Sequence, residues 1–287
     1  MFNFLRYHKI AALFSLALIG AGIGLYIHQD GFRYSVDFTG GTEVRVRFAN
    51  QEDTAAIKDM VSKEWNGSVY NILEANEIIV RVQDTPETVE NLDQKILTSI
   101  NNVSVDNPGT LLQTNSISDS VGQTLRHQSI IAILMALLLM LIYITLRFKL
   151  AFAVGAVVAI LHDALAILAC FLILNNEISI DVIGAILATL GYSINDTIVI
   201  FTRIRKNIKT MKGKSIGEIV NVSLNQTLRR TLLTSLSTAL VVGSQFAFGG
   251  ATIRSLSLAL LLGIIFGTFS SIFIASPTMM LLFKEEK

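Results

Sequence analysis

The stretch GYSINDTIVIFTRIRKN, Gly191–Asn207, decides how the chain is read. It closes an apolar run that begins at Val182 and holds no charge before Asp196, and a basic cluster opens at Arg203. Roughly 20 apolar residues that end in cations have the length and the flank of a helix crossing about 30 Å of hydrocarbon. Asp196 then lies where water is scarce, and a central carboxylate costs roughly 2.5–3.5 kcal/mol on insertion scales. Such a residue is kept for a function or held by a partner. Anchoring is the competing reading, because Asp196 is only about 10 Å along the axis from Arg203.

Five further runs share this character. Of the 287 residues, 52% are hydrophobic and 16% charged, which places the chain among membrane proteins. The spans are Ile10–Ile27, Ser129–Leu146, Leu150–Leu174, Val182–Phe201, Thr231–Phe248 and Ser255–Phe283. The first has a basic lead-in (Arg6, Lys9) but no Ala-x-Ala site, so it reads as a retained span. The last is expected to tilt or to break near Pro277. Arg6, Lys9, Arg147, Lys149 and the basic connection after the fourth span put both termini in the cytoplasm, by the positive-inside rule. The alternate side has Glu177, Asp181 and a single Arg254. Residues 1–27 therefore form a tail and first span, and residues 129–287 form five spans with a cytoplasmic basic loop at 203–230.

Residues 28–128 are the only sizeable soluble stretch, with 8 basic and 15 acidic residues; this places them outside the cytoplasm and argues against a nucleic-acid partner. Val44, Val46 and Phe48 alternate as in a strand, and Thr54–Trp65 reads as a helix. Ser68–Leu73 and Ile78–Val82 flank the polar turn Glu74-Ala75-Asn76-Glu77. Thr85-Pro86 opens a second helix, and Val103–Val105 supplies a last strand. The order βαββαβ predicts a small ferredoxin-like α+β domain, with Asp106–Gly122 as a connector.

Some chemistries are excluded. The single cysteine, Cys170, permits no intrachain disulfide, and the four histidines never stand at i, i+4. Gly213-Lys214-Ser215 resembles the end of a phosphate loop, but Ile208 stands where its first glycine belongs. No ATP hydrolysis, metal or organic cofactor is expected; protons would be the coupling ion.

Inside the spans, Thr189, Tyr192, Ser193 and Asp196 line one helix face. Arg230, Thr234, Ser237, Thr238, Val241, Ser244 and Gln245 form a second, mostly polar stripe. The two stripes are expected to face each other or a hydrated cleft, with Arg230 reaching Asp196. Loss of water penalises a carboxylate and a guanidinium favours it, so a proton on Asp196 would follow local hydration. Asp163, beside His162 in the third span, is the weaker relay candidate, with relay and structural roles evenly matched. Gly20-x-x-x-Gly24 and Gly263-x-x-x-Gly267-x-x-x-Ser271 mark close helix packing, within the bundle or against another subunit.

Several motifs together resemble the SecF family of bacterial protein-export membrane subunits. They are Val36-Asp37-Phe38-Thr39-Gly40-Gly41-Thr42, Leu161-His162-Asp163, Gly191–Asn207, Asn225-Gln226-Thr227-Leu228-Arg229-Arg230-Thr231 and the run from Gly267 to Pro277. The resemblance implies a six-span bundle of the RND transporter type, with an extracytoplasmic domain after the first span. It implies SecD as heteromeric partner, the SecYEG channel, and YajC as a further candidate. The exported unfolded polypeptide would be the client, moved with the proton-motive force. It also maps the family's intramembrane acid onto Asp196, its arginine onto Arg230, and its Asp-Phe-Thr-Gly-Gly-Thr element onto Asp37–Thr42. Thr202 and Lys206 stand where the family usually has acidic residues. A small-molecule proton antiporter is the rival reading, but such exporters carry two related halves and only one is present here.

Overall fold

Apolar runs of this length are helical because only a helix pairs every backbone N–H and C=O within one segment in lipid. A computed structural model of the chain describes residues 2–65, 67–72, 76–82 and 91–283. In chain order its elements are α1 (Phe4–His28), a helical turn α2 (Val36–Thr39), β1 (Gly41–Arg47), α3 (Thr54–Trp65), β2 (Ser68–Ile72), β3 (Glu77–Val82), α4 (Leu92–Val103), β4 (Thr110–Ile117), α5 (Asp119–Arg147), α6 (Leu150–Ile173), α7 (Ile180–Thr210), α8 (Ile216–Phe248), α9 (Gly250–Ser270), a π-helical turn (Ser271–Ala275) and α10 (Ser276–Leu282). Six helical segments, the last running from α9 through α10, are long and apolar enough to cross a membrane. The residues fall into two units, Tyr34–Ser129 and the remainder.

In the helical unit α6, α7 and the sixth span are the most buried, while α1, α5 and α8 keep most of their surface outward. Its core joins Phe152, Phe201, Ala153, Ala156 and Ala159 to Ile272, Ala275 and Met279. Small residues set the spacing. A Cβ built on Gly263 would lie 2.3 Å from Thr189 Cγ2, and one on Gly267 would lie 2.8 Å from Ser193 Cβ. The Gly263/Gly267 seam is therefore internal, packing α9 on α7. Gly20 and Gly24 have nothing within 4 Å, and α1 makes its close approach at Gly22, against Ala169.

Pro277 interrupts the sixth span as expected, but the disturbance lies before it. A proline lacks an N–H and crowds the preceding turn; here the backbone widens into the π turn, and Ser276 Oγ donates to the Ser271 carbonyl at 3.1 Å.

The basic stretch 203–230 is not a loop. Arg203–Thr210 continues α7, and Ile216–Arg230 forms the first four turns of α8, leaving only Met211–Ser215 between them. Asn207 Nδ2 donates to Ser223 Oγ and to Gln226 Oε1, both at 2.8 Å, and Arg203 Nε donates to Gln226 Oε1 at 2.6 Å. Ser215, which had resembled the end of a phosphate loop, caps α8 by accepting from the Glu218 N–H.

The soluble unit is an antiparallel sheet of order β2-β3-β1-β4 with α3 and α4 packed on it. Val44, Val46, Val80 and Val82 meet Ile57, Val61, Ile96 and Ile100 in its core. Arg47–Glu77 (2.6 Å) and Arg81–Glu43 (2.8 Å) bridge β1 and β3. Two expectations are corrected here. Val103 ends α4 instead of opening a strand, and the last strand is β4, inside the supposed connector; α5 then begins at Asp119. β4 shows no alternation because its residues are exposed on both faces up to Ser116, so only the ladder with β1 marks it. Thr85-Pro86, Glu74 and Ala75 lie outside the described residues; Asn76 takes φ +51° ahead of β3.

The Asp37–Thr42 element forms α2 and the entry to β1. Ser35 Oγ donates to Asp37 Oδ2 at 2.9 Å, and Phe38 is buried. Gly40 (φ +74°) and Gly41 (φ +115°) turn the chain through a conformation that side-chain-bearing residues rarely adopt. Thr42 Oγ1 donates to Ser116 Oγ at 3.0 Å.

Candidate functional site

A carboxylate among apolar helices needs donors, and the sequence places serines and threonines one helical turn apart to supply them. On α7, Thr189, Ser193 and Thr197 recur at i, i+4 and i+8, with Asp196 one turn after Ser193; all four are buried. Ser193 Oγ donates to Asp163 Oδ2 at 2.6 Å, and Ser270 Oγ donates to the same oxygen at 2.9 Å. His162 Nδ1 lies 3.2 Å from Asp163 Oδ1, and its Nε2 is 2.9 Å from Ser15 Oγ on α1. Adjacent residues on one helix thus both serve the network, because the imidazole folds back over its neighbour. Asp163 is 1% exposed and sits at the junction of α1, α6, α7 and α9.

Asp196 is held more sparsely. Ser235 Oγ on α8 donates to its Oδ2 at 3.4 Å, and Thr268 Oγ1 on α9 lies 2.7 Å from that serine. Thr197 Oγ1 lies 2.8 Å from Ser271 Oγ. The π turn lets consecutive residues serve different neighbours: Ser270 reaches Asp163 on α6 while Ser271 reaches Thr197 on α7.

Of the residues named from sequence, the structure joins Ser193 to Asp163 by a hydrogen bond, with Thr189 and Asp196 buried on the same helix as Ser193. Tyr192 is half-buried and its hydroxyl lies 3.4 Å from Thr238 Oγ1. The α8 stripe meets the α7 stripe only at Thr238 and is otherwise offset from the buried face: Ser237 is exposed, Thr234 and Thr238 are half-buried, and the buried positions are Thr227, Thr231 and Ser235. Serine and threonine on a helix can satisfy themselves, as when Thr234 donates to the Arg230 carbonyl and Ser237 to that of Thr234. Their count therefore does not say which face is buried. Arg230 is exposed, and among the described residues no ion pair joins it to Asp196.

Sequence reasoning missed Ser15, Ser235, Thr268, Ser270 and Ser271 as members of the network. Ser270 and Ser271 carried a signal, as paired hydroxyls in register with Gly263 and Gly267; Ser235 carried none. Among the described residues no cluster of three or more His, Cys, Asp or Glu could hold a metal ion.

Acids lodged among hydroxyls and six apolar helices define an integral, multi-pass membrane protein with an ionisable core. Comparison narrows the class. Residues 97–285 match the family described as "Protein export membrane protein SecD/SecF, C-terminal", and residues 27–52 match the "SecD/SecF GG Motif". The protein translocase subunit SecF of Thermodesulfovibrio yellowstonii is 35% identical over 289 residues, covering 99% of this chain and 95% of its own. That of Rhodothermus marinus is 36% identical over 286 residues, covering 96% and 91%. The chain belongs to the SecF family of protein translocase subunits. The crystal structure of SecDF from Thermus thermophilus, described as a translocon-associated membrane protein, superposes with a TM-score of 0.87 at 30% identity. The match covers 98% of this chain but only 38% of that longer one, and SecDF in its super-membrane-facing form gives a TM-score of 0.70.

Proposed function

We propose that this chain is an auxiliary subunit of the bacterial Sec translocase, which works with SecD and draws on the proton-motive force to promote late steps of polypeptide export. The reading has the bundle in the RND arrangement in the inner membrane. Both termini are cytoplasmic, the α+β unit is extracytoplasmic, SecYEG is the channel it serves, and YajC is a further partner. It needs no ATP hydrolysis by this chain. One elementary charge crossing 100 mV releases about 2.3 kcal/mol, enough to bias a conformational equilibrium about fiftyfold.

Asp196 is the proton carrier in this reading, and the observation that carries it is the sparseness of its surroundings. It is 4% exposed, with a single 3.4 Å hydroxyl donor and no paired cation among the described residues. A carboxylate so placed changes charge according to whether water reaches it. Asp163, with two serine donors and an imidazole, is provided for as a fixed anchor of the helix junction. Arg230 acts as an electrostatic gate toward Asp196 when the helices shift.

Pulse-chase maturation of an exported precursor tests this in cells that depend on this chain. Asp196→Asn should slow maturation markedly at normal membrane abundance. Asp163→Asn should lower abundance or stability first. Unimpaired export by Asp196→Asn would make Asp196 an anchor and remove proton coupling from it.

A further inference from the structure

At one end of the helical unit, the turn between α5 and α6 meets the outer part of α7 and the end of α10. There Arg147, Lys149, Arg205 and Lys209 surround a cavity of about 450 Å³ whose apolar lining includes Phe148 and Phe152. No described lining residue is acidic. Arg205 is held in place: its Nη1 donates to the Arg147 carbonyl at 3.1 Å, and its guanidinium lies 4.8 Å from the centre of the Phe148 ring. Its remaining N–H donors have no protein partner among the described residues, and a guanidinium offers five donors in a planar fork suited to phosphate. The first turn of α6 opens beside this cluster with no side-chain cap, so its leading N–H groups add positive potential.

Exposed apolar surface begins here. Leu146 is 84% exposed and Leu150 is 64% exposed, and above them Ile142 and Tyr143 keep α5 apolar and open. Cations round a headgroup-sized cavity, at the foot of an uncovered apolar helix, match the two halves of one molecule. We propose that this pocket binds the phosphate of an anionic phospholipid, whose acyl chains lie along α5. The proposal concerns a site apart from the two aspartates and stands whether or not Asp196 carries protons.

The test uses the full chain, delipidated in detergent and given mixed micelles of phosphatidylglycerol and phosphatidylcholine, with bound lipid counted by native mass spectrometry. Wild type should retain phosphatidylglycerol over phosphatidylcholine, and Arg205→Gln with Lys209→Gln should cut that preference by about tenfold or more, since each cation near an anionic surface contributes measurably to attraction. Lys212→Gln with Lys214→Gln removes the same charge from the α7–α8 connection and should leave the preference intact. Lys209→Gln alone, at an exposed position, serves if the double variant does not fold, and should show a smaller loss. Equal losses in the two double variants would reduce the effect to diffuse interfacial charge and overturn the proposal. Displacement of the lipid by millimolar inorganic phosphate would also overturn it, by making the site one for free anions, as would the absence of any preference in wild type.

Discussion

Gly263→Ala should unseat α9 from α7. The added Cβ would meet Thr189 Cγ2 at 2.3 Å, Cβ at 2.4 Å and Oγ1 at 2.6 Å, where unstrained carbon contacts need roughly 3.5–4.0 Å. Rotating Thr189 cannot relieve this, because its Cβ is fixed to the backbone and its Oγ1 already donates to the Ile186 carbonyl at 2.8 Å. The helices must separate by on the order of 1 Å, which costs about 1–3 kcal/mol as overpacking. Separation also draws Ser270 away from the Asp163 carboxylate shared with Ser193, so part of the loss is electrostatic. The assay is the midpoint of denaturation by SDS in mixed micelles, read by the loss of bundle structure. Gly20→Ala and Gly24→Ala, with nothing within 4 Å, are the controls; they should be neutral or slightly stabilising, since alanine exceeds glycine in helix propensity by about 1 kcal/mol. A wild-type midpoint for Gly263→Ala, or an equal loss for Gly20→Ala, would refute the close-approach argument.

Three other outcomes are expected. Ser235→Ala should slow precursor maturation more than Ser237→Ala, because only Ser235 donates to Asp196; equal effects would detach Ser235 from the site. Asn207→Ala removes one buried and one part-buried hydrogen bond between the extensions of α7 and α8, which should cost about 1–3 kcal/mol and appear as faster amide exchange in residues 203–226. Ile96→Ala in the fully buried core of the α+β unit should cost about 2–5 kcal/mol, read as earlier cleavage of that unit by protease.

What the sequence made legible follows from where each signal comes from. The spans announce themselves because lipid demands apolar side chains all round, and Thr54–Trp65 and Ile78–Val82 because one buried face imposes a period. β4 escaped because no face of it is buried, and ladder pairing leaves no mark on side-chain order. The helical hairpin across 203–230 escaped because its cations resembled a solvated loop, whereas its cohesion rests on a few polar residues, chiefly Asn207, Ser223 and Gln226. In the site, Asp163 and Asp196 stood out by charge alone. Their hydroxyl donors did not, since Ser235 and Ser237 differ only in which neighbour the bundle sets against them.

The π turn at Ser271–Ala275 also bears on how this span could be shortened. Deleting one residue there would give a more regular helix, with better hydrogen bonds and no local defect. The flanking turns would keep their phase, since a π turn absorbs its extra residue locally, and Met279 and Ala275 would stay on the face beside Gly155. Ser270 and Ser271 could then no longer serve two helices at once. The extra residue therefore serves the hydroxyl pairing and not membrane thickness, and a chain one residue shorter here would be a better helix with a poorer polar network.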